Sequence, residues 1–260
     1  MLHIMLLIVI IFSQNTAYAS QKHTLLRVAT AANFAPILKK LSPQIEHILA
    51  VKLQIISASS GTLYQQIKYG APFDVFLSAD SLHPKKLVNE RLAIASTLST
   101  YTQGQLSFYS AKHPQLTANE FFNNPQKYNR IAIANPTIAP YGKATKSLLT
   151  NKNIWSQVSK HLVIGINVGQ TFQQIRSKAV DLGFVATSQL VLNNIPVPTE
   201  QLSSFNDMLL QQQAVVINRS AVADDASKFV QFLTSQKVQT QLIEFGYLAI
   251  NQQEGIHDKR

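Results

Sequence analysis

The chain has 260 residues, a formal net charge of +10, no cysteine, and only 14% charged against 46% hydrophobic residues. This length suffices for two lobes with separate cores, and the lack of cysteine excludes disulfides, thiolate metal sites and cysteine nucleophiles. The positive balance favours acidic partners, but Lys and Arg are scattered with no basic block or basic–aromatic stripe, so nucleic acid is not an expected partner.

The first twenty residues, MLHIMLLIVIIFSQNTAYAS, hold an apolar stretch over 4–12 and then Ala17-Tyr18-Ala19. The small-x-small ending predicts an export signal over 1–19, cleaved after Ala19, although Lys and Arg are missing ahead of the apolar stretch. The stretch is far shorter than the roughly 20 residues that span a bilayer. The absence of a following cysteine argues against a lipid anchor. A periplasmic location is therefore expected.

From residue 25 the pattern alternates. Strands are predicted over 25–29, 51–57 and 74–77. A helix is predicted over 34–49, with Ile37, Leu38, Leu41, Ile45 and Ile48 on one face. Another runs over 62–69 and stops at Gly70. Asp80 or Ser81 caps the next, with Pro84 in its first turn. The alternation then restarts, with strands over 106–110, 130–134, 161–164, 182–186 and 214–218 and helices over 141–149 and 170–178. An amphipathic helical region closes the chain over 224–245, capped by Gly246. The Pro-bearing connection NNIPVPTEQLSS occupies 193–204. This is an α/β pattern with largely parallel sheets. It divides into lobe I over 24–103, lobe II over 104–216, a return to lobe I over 217–250 and a tail over 251–260.

Four strand-to-helix turns carry small or polar residues: Ala31-Ala32-Asn33, Ala58-Ser59-Ser60-Gly61, Ala139-Pro140-Tyr141-Gly142 and Asn167-Val168-Gly169. A first helical turn has free N–H groups and the positive end of the helix dipole, so it seats an anion without a charged side chain. Capping alone also accounts for each turn taken singly.

The segments LRVATAANF, SASSGTLYQQIKYGAPFDVFLSAD, IAIANPTIAPYGKAT, NVGQTFQQI and LGFVATSQL follow one another in an order and spacing that resembles the periplasmic molybdate-binding proteins, the solute receptors of molybdate ABC importers. The resemblance covers nearly all of 25–250. It implies a two-lobed type II periplasmic-binding-protein fold with a ligand cleft between the lobes. By position it places the oxyanion contacts on Asn33, Ser60, Tyr141 and Val168, the last through its backbone N–H. Many members carry a ligand-binding Tyr where this chain has Ala186, and Tyr141 is expected to take its place. The implied ligand is molybdate or tungstate. Its molybdenum is held as the oxyanion through these residues, with no direct metal-ligand cluster, no cofactor and no catalytic residue. The implied partner is an inner-membrane ABC permease, and the receptor is expected to be a monomer.

Molybdate near neutral pH is a dianion without a proton. A site made only of donors suits it. The four turns lack Asp and Glu, so the proton of hydrogen phosphate finds no acceptor there. Sulfate differs only in size, and tungstate hardly at all. Two other readings use the same residues: another anion, sulfate or a small organic one, in the same cleft, and a hydrolase with Ser60 as nucleophile. The hydrolase reading lacks the Gly-x-Ser-x-Gly pattern, and APYGKAT fails the P-loop pattern. The seven histidines never fall at metal-ligand spacing. Lys143 is expected on the solvated helix face, and Asp74 and Asp80 are expected in structural capping roles.

Overall fold

The computed structural model describes residues 23–198, 205 and 208–250. The predicted export signal, the tail and residues 199–204 of the Pro-bearing connection lie outside the described residues.

Two mixed sheets form the two lobes. In the first, β1 (Thr24–Ala31) lies parallel to β2 (Val51–Ala58) and to β3 (Val75–Leu77). β9 (Leu210–Val216) then runs antiparallel to β3 and to β4 (Ser99–Gly104), giving the order β2-β1-β3-β9-β4. In the second, β5 (Leu106–Tyr109) runs antiparallel to β8 (Leu182–Ala186). β8 and β7 (Leu162–Gly165) lie parallel to β6 (Ile131–Ala134), giving β5-β8-β6-β7. The inner strands VFL and IAIA are apolar throughout and buried along their whole length, as strands covered on both faces must be.

Each sheet is covered by helices. α1 (Ala35–Leu49) buries Ile37, Leu38, Leu41 and Ile45 against β1 and Phe229, whereas Ile48 of the predicted apolar face is half exposed. α2 (Ser60–Lys68) and α3 (Leu82–Asn89) pack on the other face of the first sheet through Leu63, Ile67 and Leu87. α2 ends as predicted, with Gly70 at φ +101° just beyond it. The short α4 (Ala118–Asn123) and α5 (Pro140–Asn151) cover one face of the second sheet. The short α6 (Trp155–Val158) follows α5 at its edge. α7 (Val168–Arg176) covers the other face, and α8 (Thr187–Leu192) follows β8.

Besides β4 and the short α4, α6 and α8, which the sequence pattern does not predict, three features differ from the sequence expectation. The sheets are mixed rather than largely parallel, because β4, β5 and β9, which lie where the chain crosses between lobes, all pair antiparallel. β9 begins at Leu210 and sits inside the first sheet, so this strand joins lobe I ahead of the predicted return at 217. The closing helical region is two helices, α9 (Ala223–Leu233) and α10 (Gln236–Glu244). Thr234 and Ser235 break it by donating their hydroxyls to the carbonyls of Gln231 and Phe232.

Candidate functional site

The four predicted turns meet at one small cavity between the lobes. Asn33 follows β1 and Ser60 opens α2. Tyr141 lies in the first turn of α5 and Val168 opens α7. All four line the same cavity, whose volume is about 10 Å³, the room of roughly one water molecule. Among the described residues, no Asp, Glu, Lys, Arg or His side chain lines it.

Capping and presentation are divided between neighbours in each well-capped turn. Ser59 is the α2 cap, its Oγ accepting from the Thr62 N–H at 3.3 Å. Ser60, next to it, is wholly buried and its Oγ accepts from the Ala79 N–H at 2.9 Å. With that lone pair engaged, the Ser60 hydroxyl hydrogen has no acceptor among the described residues. Asn167 caps α7 by accepting from the Gln170 N–H at 3.0 Å. Val168 follows it, with its side chain in the core and its N–H at the cavity end of the helix. The N–H groups of Asn33, Ser60, Tyr141 and Val168 have no acceptor among the described residues, as expected where helices begin. The dipoles of α2, α5 and α7 add positive potential there.

Behind the cavity lies a buried polar cluster centred on Gln212 of β9. Gln212 Oε1 accepts from Asn33 Nδ2 and from the Tyr101 hydroxyl, each at 3.0 Å. Gln212 Nε2 donates to the Tyr141 hydroxyl at 3.3 Å. Asn33 Nδ2 also donates to the Tyr247 hydroxyl at 3.1 Å, and Ser188 Oγ donates to that same hydroxyl at 3.3 Å. The cluster thus joins Asn33, Tyr101 and Gln212 of lobe I to Tyr141 and Ser188 of lobe II. Phe34 packs edge-on against both Tyr101 and Tyr247. Burial holds the pKa of Tyr101, Tyr141 and Tyr247 well above the ordinary phenol value, so all three remain neutral. The sequence reading missed Gln212, Tyr247 and Ala79. Tyr141 differs from its expected role as well: its hydroxyl is turned toward Gln212 and Gly104, where an added Cβ would collide with it.

The lobes also touch directly beside the cavity. The Gly61 N–H donates to the Ile138 carbonyl at 2.9 Å. A Cβ on Gly61 would lie 2.8 Å from that oxygen and 3.0 Å from Ile138 Cα. A wider groove of about 540 Å³ adjoins the cavity and shares Ala139 and Pro140 with it. Lys86 of lobe I and Lys143 and Lys146 of lobe II line this groove, with Lys143 on the exposed face of α5 as expected.

The acidic residues take structural roles. Asp74 accepts from the Arg27 N–H and the Ser220 hydroxyl. Asp80 accepts from the Ser78 hydroxyl and from the His83 N–H at the start of α3, and its Oδ2 lies 2.8 Å from His83 Nδ1. Burial opposes the Asp80 charge, but the bonds from His83 and Ser78 outweigh it and its pKa lies below the usual carboxylate value. Ala186 ends β8 fully buried, and its N–H is taken by Gln189 Oε1. No group of three or more His, Cys, Asp or Glu residues fit to hold a metal occurs among the described residues. Among the described residues, no His, Lys or carboxylate lines the cavity beside Ser60 to take its proton, so the hydrolase reading gains no general base there.

Known proteins share this architecture. The family of bacterial extracellular solute-binding proteins matches residues 26–248. The molybdate-binding protein ModA of Azotobacter vinelandii is 30% identical over 223 residues, covering 85% of this chain and 88% of that protein. ModA of Rhodobacter capsulatus is 29% identical over 224 residues, covering 85% and 86%. Among solved structures, the periplasmic molybdate-binding protein of Azotobacter vinelandii superposes with a TM-score of 0.80 at 32% identity. It covers 87% of this chain and 100% of that one. Here the two-lobed α/β architecture is that of a type II periplasmic-binding protein.

Proposed function

Because the chain belongs to the bacterial extracellular solute-binding proteins and is homologous to the periplasmic molybdate-binding ones, we propose that it captures molybdate, and tungstate equally, in the periplasm and delivers it to an inner-membrane ABC permease. The observation that carries this reading is the uncharged, donor-lined cavity at four helix starts. A dianion that bears no proton matches donors alone. Fixed peptide dipoles stabilise it without the desolvation cost of a buried ion pair.

In this reading lobe I receives the anion first, at the Ser60 hydroxyl and the N–H groups of Asn33 and Ser60. Closure of lobe II brings the N–H groups of Tyr141 and Val168, and the Gly61–Ile138 bond seals the cleft. The protein acts as a monomeric receptor and not as an enzyme, with residues 1–19 directing export. The lysines of the adjoining groove raise the local anion concentration at the cleft mouth, an effect that salt screens.

Calorimetric titration of residues 20–260 with molybdate, tungstate, sulfate and phosphate tests this. One-to-one binding of molybdate and tungstate is expected, with weaker sulfate binding and no heat from phosphate. Silence with both metal oxyanions would move the assignment to another anion on the same fold.

A further inference from the structure

Asn33 lines the cavity, yet both of its side-chain donors are committed to the protein. Its Nδ2 serves Gln212 Oε1 and the Tyr247 hydroxyl. Its Oδ1 is buried and has no hydrogen-bond partner. An unpaired lone pair is costly in the interior and is the wrong group to set beside a dianion. The two ends of a carboxamide are nearly equal in size, so a half-turn exchanges donor and acceptor while keeping the outline of the group.

Turning Asn33 alone fails, because its Oδ1 would then face Gln212 Oε1 at 3.0 Å. Turning Gln212 with it resolves the conflict. Gln212 Nε2 then donates to Asn33 Oδ1 and to the Tyr101 hydroxyl, over the two 3.0 Å separations now made by Oε1. Tyr101 passes its own hydrogen to the Ser78 carbonyl, 3.3 Å away. Tyr141 donates to Gln212 Oε1, and Tyr247 donates to Asn33 Oδ1 while still accepting from Ser188. One bond is given up, from Tyr247 to the Asn33 carbonyl. In return the orphan oxygen is paired, and Asn33 Nδ2 has hydrogens for the cavity.

We propose that Gln212 is a positioning residue for the oxyanion: Asn33 and Gln212 turn their carboxamides together when the ligand enters, and Asn33 then donates Nδ2–H to it. This rests on the oxyanion reading of the cavity. It assigns the Tyr141 hydroxyl to the supporting cluster and leaves Tyr141 its backbone N–H for the ligand.

A double-mutant cycle tests it. In Gln212→Glu the side chain accepts at both ends, so Asn33 Nδ2 is held toward it and cannot turn to the ligand. The added charge also repels the ligand directly, and the same substitution in an Asn33→Ala background measures that part alone. Molybdate titrations should show Gln212→Glu weakening binding at least about 10-fold more when Asn33 is present, the scale of one hydrogen bond to a charged group. Equal losses in both backgrounds would overturn the proposal. If Gln212→Glu does not fold by thermal melting, ¹⁵N NMR of the wild-type carboxamides decides. The Asn33 and Gln212 signals, identified by their loss in Asn33→Ala and Gln212→Met, should both shift on saturation with tungstate; a fixed Gln212 signal would overturn the proposal. A wild-type chain that binds neither anion would instead sink the receptor reading itself.

Discussion

The two lobes contribute to the cavity in different ways. Lobe I brings Asn33 and the Ser60 hydroxyl, a side-chain donor fixed in place by the Ala79 N–H. Lobe II brings two residues whose side chains face away: Val168 lies in the hydrophobic core, and the Tyr141 hydroxyl bonds Gln212. What lobe II offers the cavity is backbone. Substitutions in lobe I should therefore change which ligand is accepted and how tightly. Those in lobe II should act on stability, unless they alter the fit between the lobes.

The largest break in this comparison is Ser60→Asp. A carboxylate at the first position of α2 suits the helix dipole and can still accept from Ala79, so the fold should persist. Its charge would lie against a dianion in a buried site. A loss of at least about 1000-fold in molybdate affinity is expected by calorimetry, as like charges at close range in low dielectric dictate. Ser60→Ala should cost less, about 10- to 100-fold, the value of a hydrogen bond to a charged group. Near-normal binding by Ser60→Asp would refute the assignment of this cavity.

Gly61→Ala probes the seam between the lobes. The three atoms nearest the new Cβ are all Ile138 backbone, the oxygen at 2.8 Å, and backbone cannot move aside as a flexible side chain can. The position lies inside a helix that accepts alanine, so the ligand-free protein should melt at or above the wild-type temperature. Closure should be penalised by about 1–3 kcal/mol, the usual scale of overpacking, which weakens molybdate binding roughly 5- to 150-fold. Small-angle scattering should show a smaller ligand-induced contraction than in the wild type. Unchanged affinity and contraction would mean that the lobes do not need the Gly61–Ile138 contact to close.

Val168→Ala is the matching test in lobe II. Removing two buried methyl groups should lower stability by about 1–2 kcal/mol, since the side chain belongs to the second-lobe core. Molybdate affinity should change less than about 3-fold, because the backbone N–H remains. A loss in affinity larger than the loss in stability would contradict the division between side-chain and backbone donors.

Legibility in the sequence follows the same line. Helix starts are local features, and small or polar residues at strand ends mark them. The four turns could each be placed before any tertiary contact was known, the family resemblance singled out Asn33, Ser60, Tyr141 and Val168 within them, and all four line one cavity. Gln212 could not. LQQQAVV has three glutamines directly after its leucine, so the apolar pattern marks a strand only from residue 214, whereas β9 starts at Leu210. Gln212 is wholly buried because Asn33, Tyr101 and Tyr141, at sequence separations of 179, 111 and 71, satisfy it. Polar β4 (STYTQG) was hidden in the same way. Its register slips between Thr100 and Thr102, and Tyr101 between them is fully buried with its hydroxyl on Gln212. Both strands are polar where they carry the cluster behind the cavity, and that cluster exists only in the folded chain.

The smallest expected effect is that of pH on affinity, and it sharpens the comparison by separating cavity from surroundings. The cavity is lined by no carboxylate, histidine or lysine, and the phenols behind it are held above their ordinary pKa by burial. Molybdate affinity should therefore vary by less than about 2-fold between pH 6.5 and 9, since no group against the ligand changes charge there. A steep loss toward pH 9 would mean that a phenol ionises beside the ligand, contrary to its burial. Acid should act elsewhere. The folded pKa of Asp80 lies below its ordinary value of 3.8, so the unfolded chain binds its proton more readily. The stability it contributes is complete above that value and is lost as pH falls through the lower, folded one. Thermal melting should accordingly decline below about pH 4. Asp80→Asn should flatten that decline while leaving the neutral-pH affinity for molybdate within about 3-fold of wild type, because Asp80 braces the start of α3 and does not line the cavity.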